Sequence, residues 1–316
     1  MPSRVPTARP RPKGHSAPDD EPTDRYRAAV SAASTDRQPL VVTLDDSAAL
    51  DPSLVGAKAA NLARLAATGL PVLPGFVITT AATGRGARVL DADELHRQWA
   101  DLTDASDRVL VVRSSSTVED ATTSSMAGRF TSVLDVHGWD EFCVAVTRVI
   151  ESASAVGTPA PIAVLVQRQL EVTVGGVLFG ADPVHGRTDR LVVEWVRDRP
   201  DSLVSGRVLA AHAELSPHGR LIRQVIPSVP SPTSPTEALP RRVRRRLARM
   251  ARTTGATFGA PQDLEWAVDD GGALWLLQSR PVTALHLAPT RRHPPRFGAG
   301  PVAETFPRPL RACRCG

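Results

Sequence analysis

The sequence predicts an α+β protein of two lobes, and three observations lead there. The first half alternates β-branched runs with stretches whose apolar residues recur at helical spacing. The second half is strand-rich, with short Gly, Asp and Pro turns between its apolar runs. A chain of 316 residues that is 42% hydrophobic can bury a sizeable core, and VGTPAP at 156–161 breaks it near the middle. The expected organisation is a disordered leader over 1–38, a first lobe over 39–158, a second lobe over 159–286 and an irregular tail over 287–316. Leader and tail are rich in Pro and Arg and carry no apolar period.

In chain order, LVVTL from Leu40 to Leu44 is a strand. A helix follows near Gly56 to Thr68, with Leu62, Leu65 and Ala66 at helical spacing and Gly69 in the stop position. Pro71 and Pro74 exclude helix, so GFVIT is a short strand. Residues 92–102 read as helix, and RVLVVR, from Arg108 to Arg113, as a buried strand. That strand enters a long run of small, hydroxylic and acidic residues that ends at Gly128, before a β-branched run from Thr131. A hairpin needs only about two to five loop residues. The polar stretch is therefore either a solvated surface loop or a mobile cover for something rich in oxygen atoms. A helix is expected around Asp140 to Ser154, then the strands IAVLVQRQL, VGGVLFGAD, RLVVEWV and LIRQVI. A Pro and Ser linker, an Arg-rich helix over RRVRRRLARMARTTGA and a hairpin of DLEWAV with LWLLQSR around DDGGA complete the series.

Composition excludes several classes. No stretch approaches the apolar length of a membrane span, and Pro, Arg and Asp stand where a secretory apolar segment would be, so a cytoplasmic protein is expected. Cys143, Cys313 and Cys315 make neither a disulfide framework nor a four-ligand zinc site. The net charge is +5, and of 38 basic residues only Lys13 and Lys58 are lysines. The Arg-rich helix has no interleaved aromatics, which argues for a solvated face over a nucleic-acid patch. GxxxxGK[ST], GxGxxG after a strand, GxSxG and HExxH are all absent.

Four features could carry chemistry. Lys58 in VGAKAANL stands near a helix start, where free N–H groups and the helix dipole favour an anion, although a solvated lysine is the plainer reading. Arg113, at a strand end facing the polar stretch, suits either bidentate phosphate contact or a salt bridge to Glu119 or Asp120. The Ser, Thr and Gly residues of the stretch itself offer donors with little bulk, as phosphate cradles require. In the terminal hairpin, period-two geometry puts Asp263 and Glu265 on one face, and Gln278 and Arg280 likewise on one face. If the two faces coincide, they offer oxygen ligands for a nucleotide-bound Mg²⁺ and a guanidinium for a phosphoryl group; otherwise they form cross-strand ion pairs on an exposed face.

As an ordered set, GAKAANLARLAATGLPVLPGFVIT, VVRSSSTVEDATTSSMAGRF, VLVQRQL, GGVLFGADPVHGR, LVSGRV and QDLEWAV with GGALWLLQSRPVT resemble one family. They look like the nucleotide-binding part of phosphoenolpyruvate synthase, pyruvate phosphate dikinase and rifampicin phosphotransferase, over roughly residues 50–285. The resemblance implies an ATP-grasp fold, two α+β lobes closing on ATP. It implies that Lys58 and Arg113 contact ATP phosphates, that the loop ending at Gly128 folds over them, and that Gln167 lies beside the adenine. It implies that Glu265 and Gln278 hold Mg²⁺, that Asp263 supports them, and that Arg280 stabilises the transferring phosphoryl group.

Some positions depart from the family pattern. Gly-Ala-Lys replaces Gly-Gly-Lys at 56–58, Arg129 replaces a glutamine, and WVRDRPDS replaces a glycine-rich stretch after Glu194. None of the eight histidines sits in a Thr-Ser-Gly-His setting like that of the family's phosphohistidine carrier, and the ending FPRPLRACRCG is what a truncated or shifted frame would give. The expected function is a Mg-ATP-binding phosphotransferase module that phosphorylates a histidine on a separate domain or chain, with AMP as the family-like product. The alternatives are a non-catalytic ATP-binding or regulatory remnant and a rifampicin-phosphotransferase-like fragment.

Overall fold

Two antiparallel sheets, joined by one short crossing, organise the protein. They are seen in a computed structural model that describes residues 38–84, 92–104, 108–116, 132–155, 162–197, 199–200, 210–227, 235 and 237–282. The expected leader and tail, the polar stretch from 117 and the break at 156–161 lie outside these residues, Gln38 excepted. The first sheet contains β1 (Val41–Thr43), β2 (Gly75–Ile78), β3 (Leu110–Ser116), β4 (Ser132–Val136) and β5 (Ile162–Arg168), in the order β1-β2-β5-β3-β4. The second contains β6 (Val172–Phe179), β7 (Leu191–Arg197), β8 (Ala211–Leu215), β9 (Leu221–Val225), β10 (Gln262–Asp269) and β11 (Leu274–Pro281), in the order β11-β10-β6-β7-β8-β9.

Helices cover these sheets. Between β1 and β2 runs α1 (Pro52–Ala67), and the short α2 (Thr80–Thr83) follows β2. The remaining helices are α3 (Ala92–Thr103), α4 (Gly138–Ala155) and the Arg-rich α5 (Arg241–Phe258). One core joins α1 and α5 to the inner face of the second sheet and to Val77, Ala163 and Leu165 of the first. A second core fills the other face of the first sheet, where Ile162, Val164 and Val166 meet α3 and α4 through Trp99, Phe142 and their neighbours. With both faces covered, β5 must be apolar at every position, which is why IAVLV shows no alternation. The arginines of α5 at 241, 242, 245, 246, 249 and 252 are exposed, as a solvated face requires, while Val243, Leu247 and Met250 are buried. Among the described residues no helix is long and apolar enough to cross a membrane.

Strand β5, which follows the boundary expected at 158/159, pairs with β2 and β3, and the chain crosses to the second sheet at 169–171. Pairing with two neighbours outweighs the local Pro and Gly break. Strand β3 does not end at Arg113 but continues through Ser114, Ser115 and Ser116, all buried opposite β5. Strand β8, over AHAEL, went unread because Ala, Leu and Glu favour helix. Its partners β7 and β9 hold it extended, with Ala211, Ala213 and Leu215 buried in alternation.

The serines matter for α1. Asp51 caps its first turn through Ser53 N at 2.8 Å, but the helix breaks at Gly56, whose φ of 75° and ψ of 162° are not helical. A Cβ there would lie 2.1 Å from the Ser115 carbonyl oxygen, so only glycine fits. The helix restarts after Gly56, and Ser115 Oγ accepts from Ala59 N at 3.1 Å as a cap supplied by β3. Lys58 thus stands in the first turn of a helix, as expected. Ala57 has no positive φ, so its replacement of a glycine introduces no strain.

Candidate functional site

The hairpin of β10 and β11 brings its polar residues to one face. Asp263 lies opposite Arg280 and Glu265 opposite Gln278 in the β-register, so the two faces inferred from periodicity coincide. The first pair is bonded together: Asp263 is buried, and Arg280 Nε donates to its Oδ2 at 2.9 Å. The second pair is open. Glu265 and Gln278 are half-buried, and neither side chain makes a hydrogen bond among the described residues. The register shifts just beyond Glu265, so Leu277 bulges out of the ladder and consecutive residues Leu277 and Gln278 both turn toward a cavity of about 220 Å³.

That cavity also receives side chains from the first sheet. Arg113, the middle of β3, lines it and donates through Nη1 to Leu277 O at 3.3 Å, tying the two sheets together. Val111, Leu134, Leu170 and Leu277 provide apolar wall. A cavity with apolar sides and a few convergent polar groups has the lining of a small-molecule site. Glu265 and Gln278 place a carboxylate opposite an amide with neither committed elsewhere. Such a pair fits a Mg²⁺ ion that takes its other oxygens from phosphates and water. No cluster of three or more His, Cys, Asp or Glu suited to a metal occurs among the described residues, so a site made of protein ligands alone has no support there.

The other expected residues stand around this centre. Lys58 donates from Nζ to Ser114 O at 3.0 Å. Its anchor is therefore β3, the strand that carries Arg113. Gln167 is buried, and its Nε2 donates to Leu73 O at 2.9 Å, behind a residue that lines the cavity. Arg280 and Asp263 sit two cross-strand pairs beyond Gln278 and Glu265, on the same face. Gly128 and Arg129 lie outside the described residues.

Three residues that sequence reasoning did not single out form the rim at the crossing. Gln169 follows β5, and its Nε2 donates to Asp135 Oδ1 at 2.6 Å while its Oε1 accepts from Asp135 N at 2.8 Å. Asp135, on β4, has a φ of 54°, which aspartate tolerates better than most residues. Arg199, just past β7, grips the same carboxylate from Nη2 at 3.0 Å and Nη1 at 3.2 Å. The Arg199 guanidinium and the Gln169 amide hold the Asp135 carboxyl below its ordinary 3.8. The available signal was faint: a second glutamine in VQRQL, and an arginine where the family pattern has glycine.

Comparison with known proteins shows the family. Residues 92–296 match the family described as pyruvate phosphate dikinase, AMP/ATP-binding domain. A prodigiosin-synthesizing transferase, PigC, from Serratia marcescens is 28% identical over 77% of this chain and 33% of its own length. A probable phosphoenolpyruvate synthase from Methanothermobacter thermautotrophicus is 28% identical over 74% of this chain and 45% of its own. A rifampicin phosphotransferase from a Streptomyces species is 29% identical over 80% of this chain and 37% of its own. The chain thus spans between a third and a half of the length of these relatives.

Proposed function

The chain belongs to the pyruvate phosphate dikinase AMP/ATP-binding domain family and has its ATP-grasp fold, and from that premise we propose that it binds Mg-ATP and passes a phosphoryl group to a histidine on a separate domain or chain. One observation carries the reading: Arg113 from one sheet and Glu265 and Gln278 from the other line a single cavity, with the last two opposed and uncommitted among the described residues.

On this reading the adenine lies toward the crossing, against Leu170 and Leu134, and the phosphates toward Arg113 and the hairpin. Glu265 and Gln278 would hold Mg²⁺, whose chemistry there would be to neutralise phosphate charge. Arg113 offers a planar fork to phosphate oxygens, and Lys58 adds charge from the first turn of its helix. Asp263 keeps Arg280 beside the metal-holding pair, where its guanidinium meets charge that develops on the transferring group. Little covalent chemistry is asked of the protein; positioning and charge neutralisation do the work.

Calorimetry with Mg-ATP, followed by AMP formation with and without a separately expressed histidine domain, tests the reading. Binding in the micromolar range and acceptor-dependent AMP are expected; no binding at millimolar nucleotide overturns it. A non-catalytic ATP-binding role has one observation in its favour, that Arg280 is bound to Asp263 and Lys58 to Ser114 O. Its signature is ATP binding that survives Arg280→Ala, with no turnover to lose.

A further inference from the structure

We propose that Arg199 is a positioning residue: by gripping Asp135, it braces the two lobes across the crossing and sets the width of the nucleotide cavity. The nucleotide part of this inference rests on the function proposed above; the brace itself does not.

The three partners come from three places in the fold. Asp135 belongs to an edge strand of the first sheet, Gln169 to the crossing and Arg199 to the segment leaving β7 of the second sheet. Only Arg199 reaches from the second lobe, and it does so with two nitrogens on one carboxylate, the geometry that gives arginine pairs their directionality. Arg199, Gln169 and the buried Pro200 all line the cavity that Glu265, Gln278 and Arg113 enter. A change in the Arg199–Asp135 distance therefore changes that cavity. Gln169 is doubly bound to Asp135, so the crossing is tied to the same carboxylate.

The local chemistry supports a brace over an incidental surface contact. Asp135 adopts a left-handed backbone conformation that most residues avoid. That conformation is held by its own N–H to Gln169 and by its carboxylate to Arg199. A gap separates the segment after β7 from Asp135 on β4. Here Arg199 spans it, and Pro200 restricts the backbone beside it. The pair is partly exposed, at 34% and 57% of side-chain surface, so its strength is modest and salt-sensitive.

The test uses the full chain as wild type, Arg199→Ala, Asp135→Asn and the double variant; asparagine keeps the tolerance for positive φ. Two amides report on the brace without ligand: Gln169, bonded to Val109 O at 2.9 Å, and Asp135, bonded to the Gln169 side chain. Their exchange should quicken about threefold to fivefold in each single variant and no further in the double. The Kd for Mg-ATP should rise by a similar factor in low salt and by less in high salt, and Arg199→Lys should restore only part of it because a single ammonium cannot fork. Unchanged exchange in both single variants, or effects that simply add in the double, overturns the brace. If wild type binds no Mg-ATP, the nucleotide reading fails, and amide exchange alone decides on the brace.

Discussion

Two cross-strand pairs follow each other on one face of the β10–β11 hairpin, and their contrast is instructive. Asp263 and Arg280 are bonded together, and Asp263 is only 3% exposed. Glu265 and Gln278, two pairs away on the same face, have no hydrogen bond among the described residues and open into the cavity. Identical secondary structure thus presents one pair joined by a hydrogen bond between its members and one pair that makes none among the described residues. The bulge separates the hairpin's core end from its cavity end, where Leu277 and Gln278 turn outward together.

If the open pair serves the ligand and the closed pair serves the fold, substitutions in them should diverge. The largest effect is expected at Glu265→Gln, with Mg-ATP-dependent turnover down about 100-fold or more and unfolding in urea within about 0.5 kcal/mol of wild type. A comparable loss of stability there would collapse the contrast. Arg280→Ala should behave oppositely in stability, because it leaves a buried carboxylate short of its cation; a loss of about 2 to 3 kcal/mol is expected by urea denaturation. Gln278→Ala should weaken Mg-ATP about tenfold in calorimetry, since it removes one oxygen ligand and no charge.

The smallest effect concerns pH. Asp135 has a lowered carboxyl value in the folded protein, first through the hydrogen bond from Arg199 and then through Gln169. A group whose folded value is depressed contributes stability that is complete above its unfolded value, ordinarily 3.8, and is lost as pH falls through the folded one. Wild type should therefore lose stability below about pH 4 more steeply than Asp135→Asn. Acid unfolding curves of the two proteins make the comparison, and coincident curves would remove Asp135 from the account.

Much of this was legible in the residues. Period-two geometry paired Asp263 with Glu265 and Gln278 with Arg280, because a hairpin is a local structure, and the strand register decided that the two faces coincide. The helix after Gly56 and the Arg-rich α5 follow from apolar spacing. The serine run at 114–116 was misread because small polar residues usually mark loops; here backbone pairing with β5 holds all three in the strand, and Ser115 Oγ caps Ala59 N. The crossing at 169–171 was hidden because one continuous apolar strand precedes it and another follows.

By itself, the sequence determined most of the elements, the hairpin and the family pattern that links them, all of which depend on local spacing or on residues read in order. Only the tertiary structure decided which pair stays open, that Arg113 meets Leu277 across the sheets, and that Arg199 reaches Asp135. Those contacts join residues far apart in the chain. Their existence depends on how two sheets pack around α1, a collective outcome that no local spacing encodes.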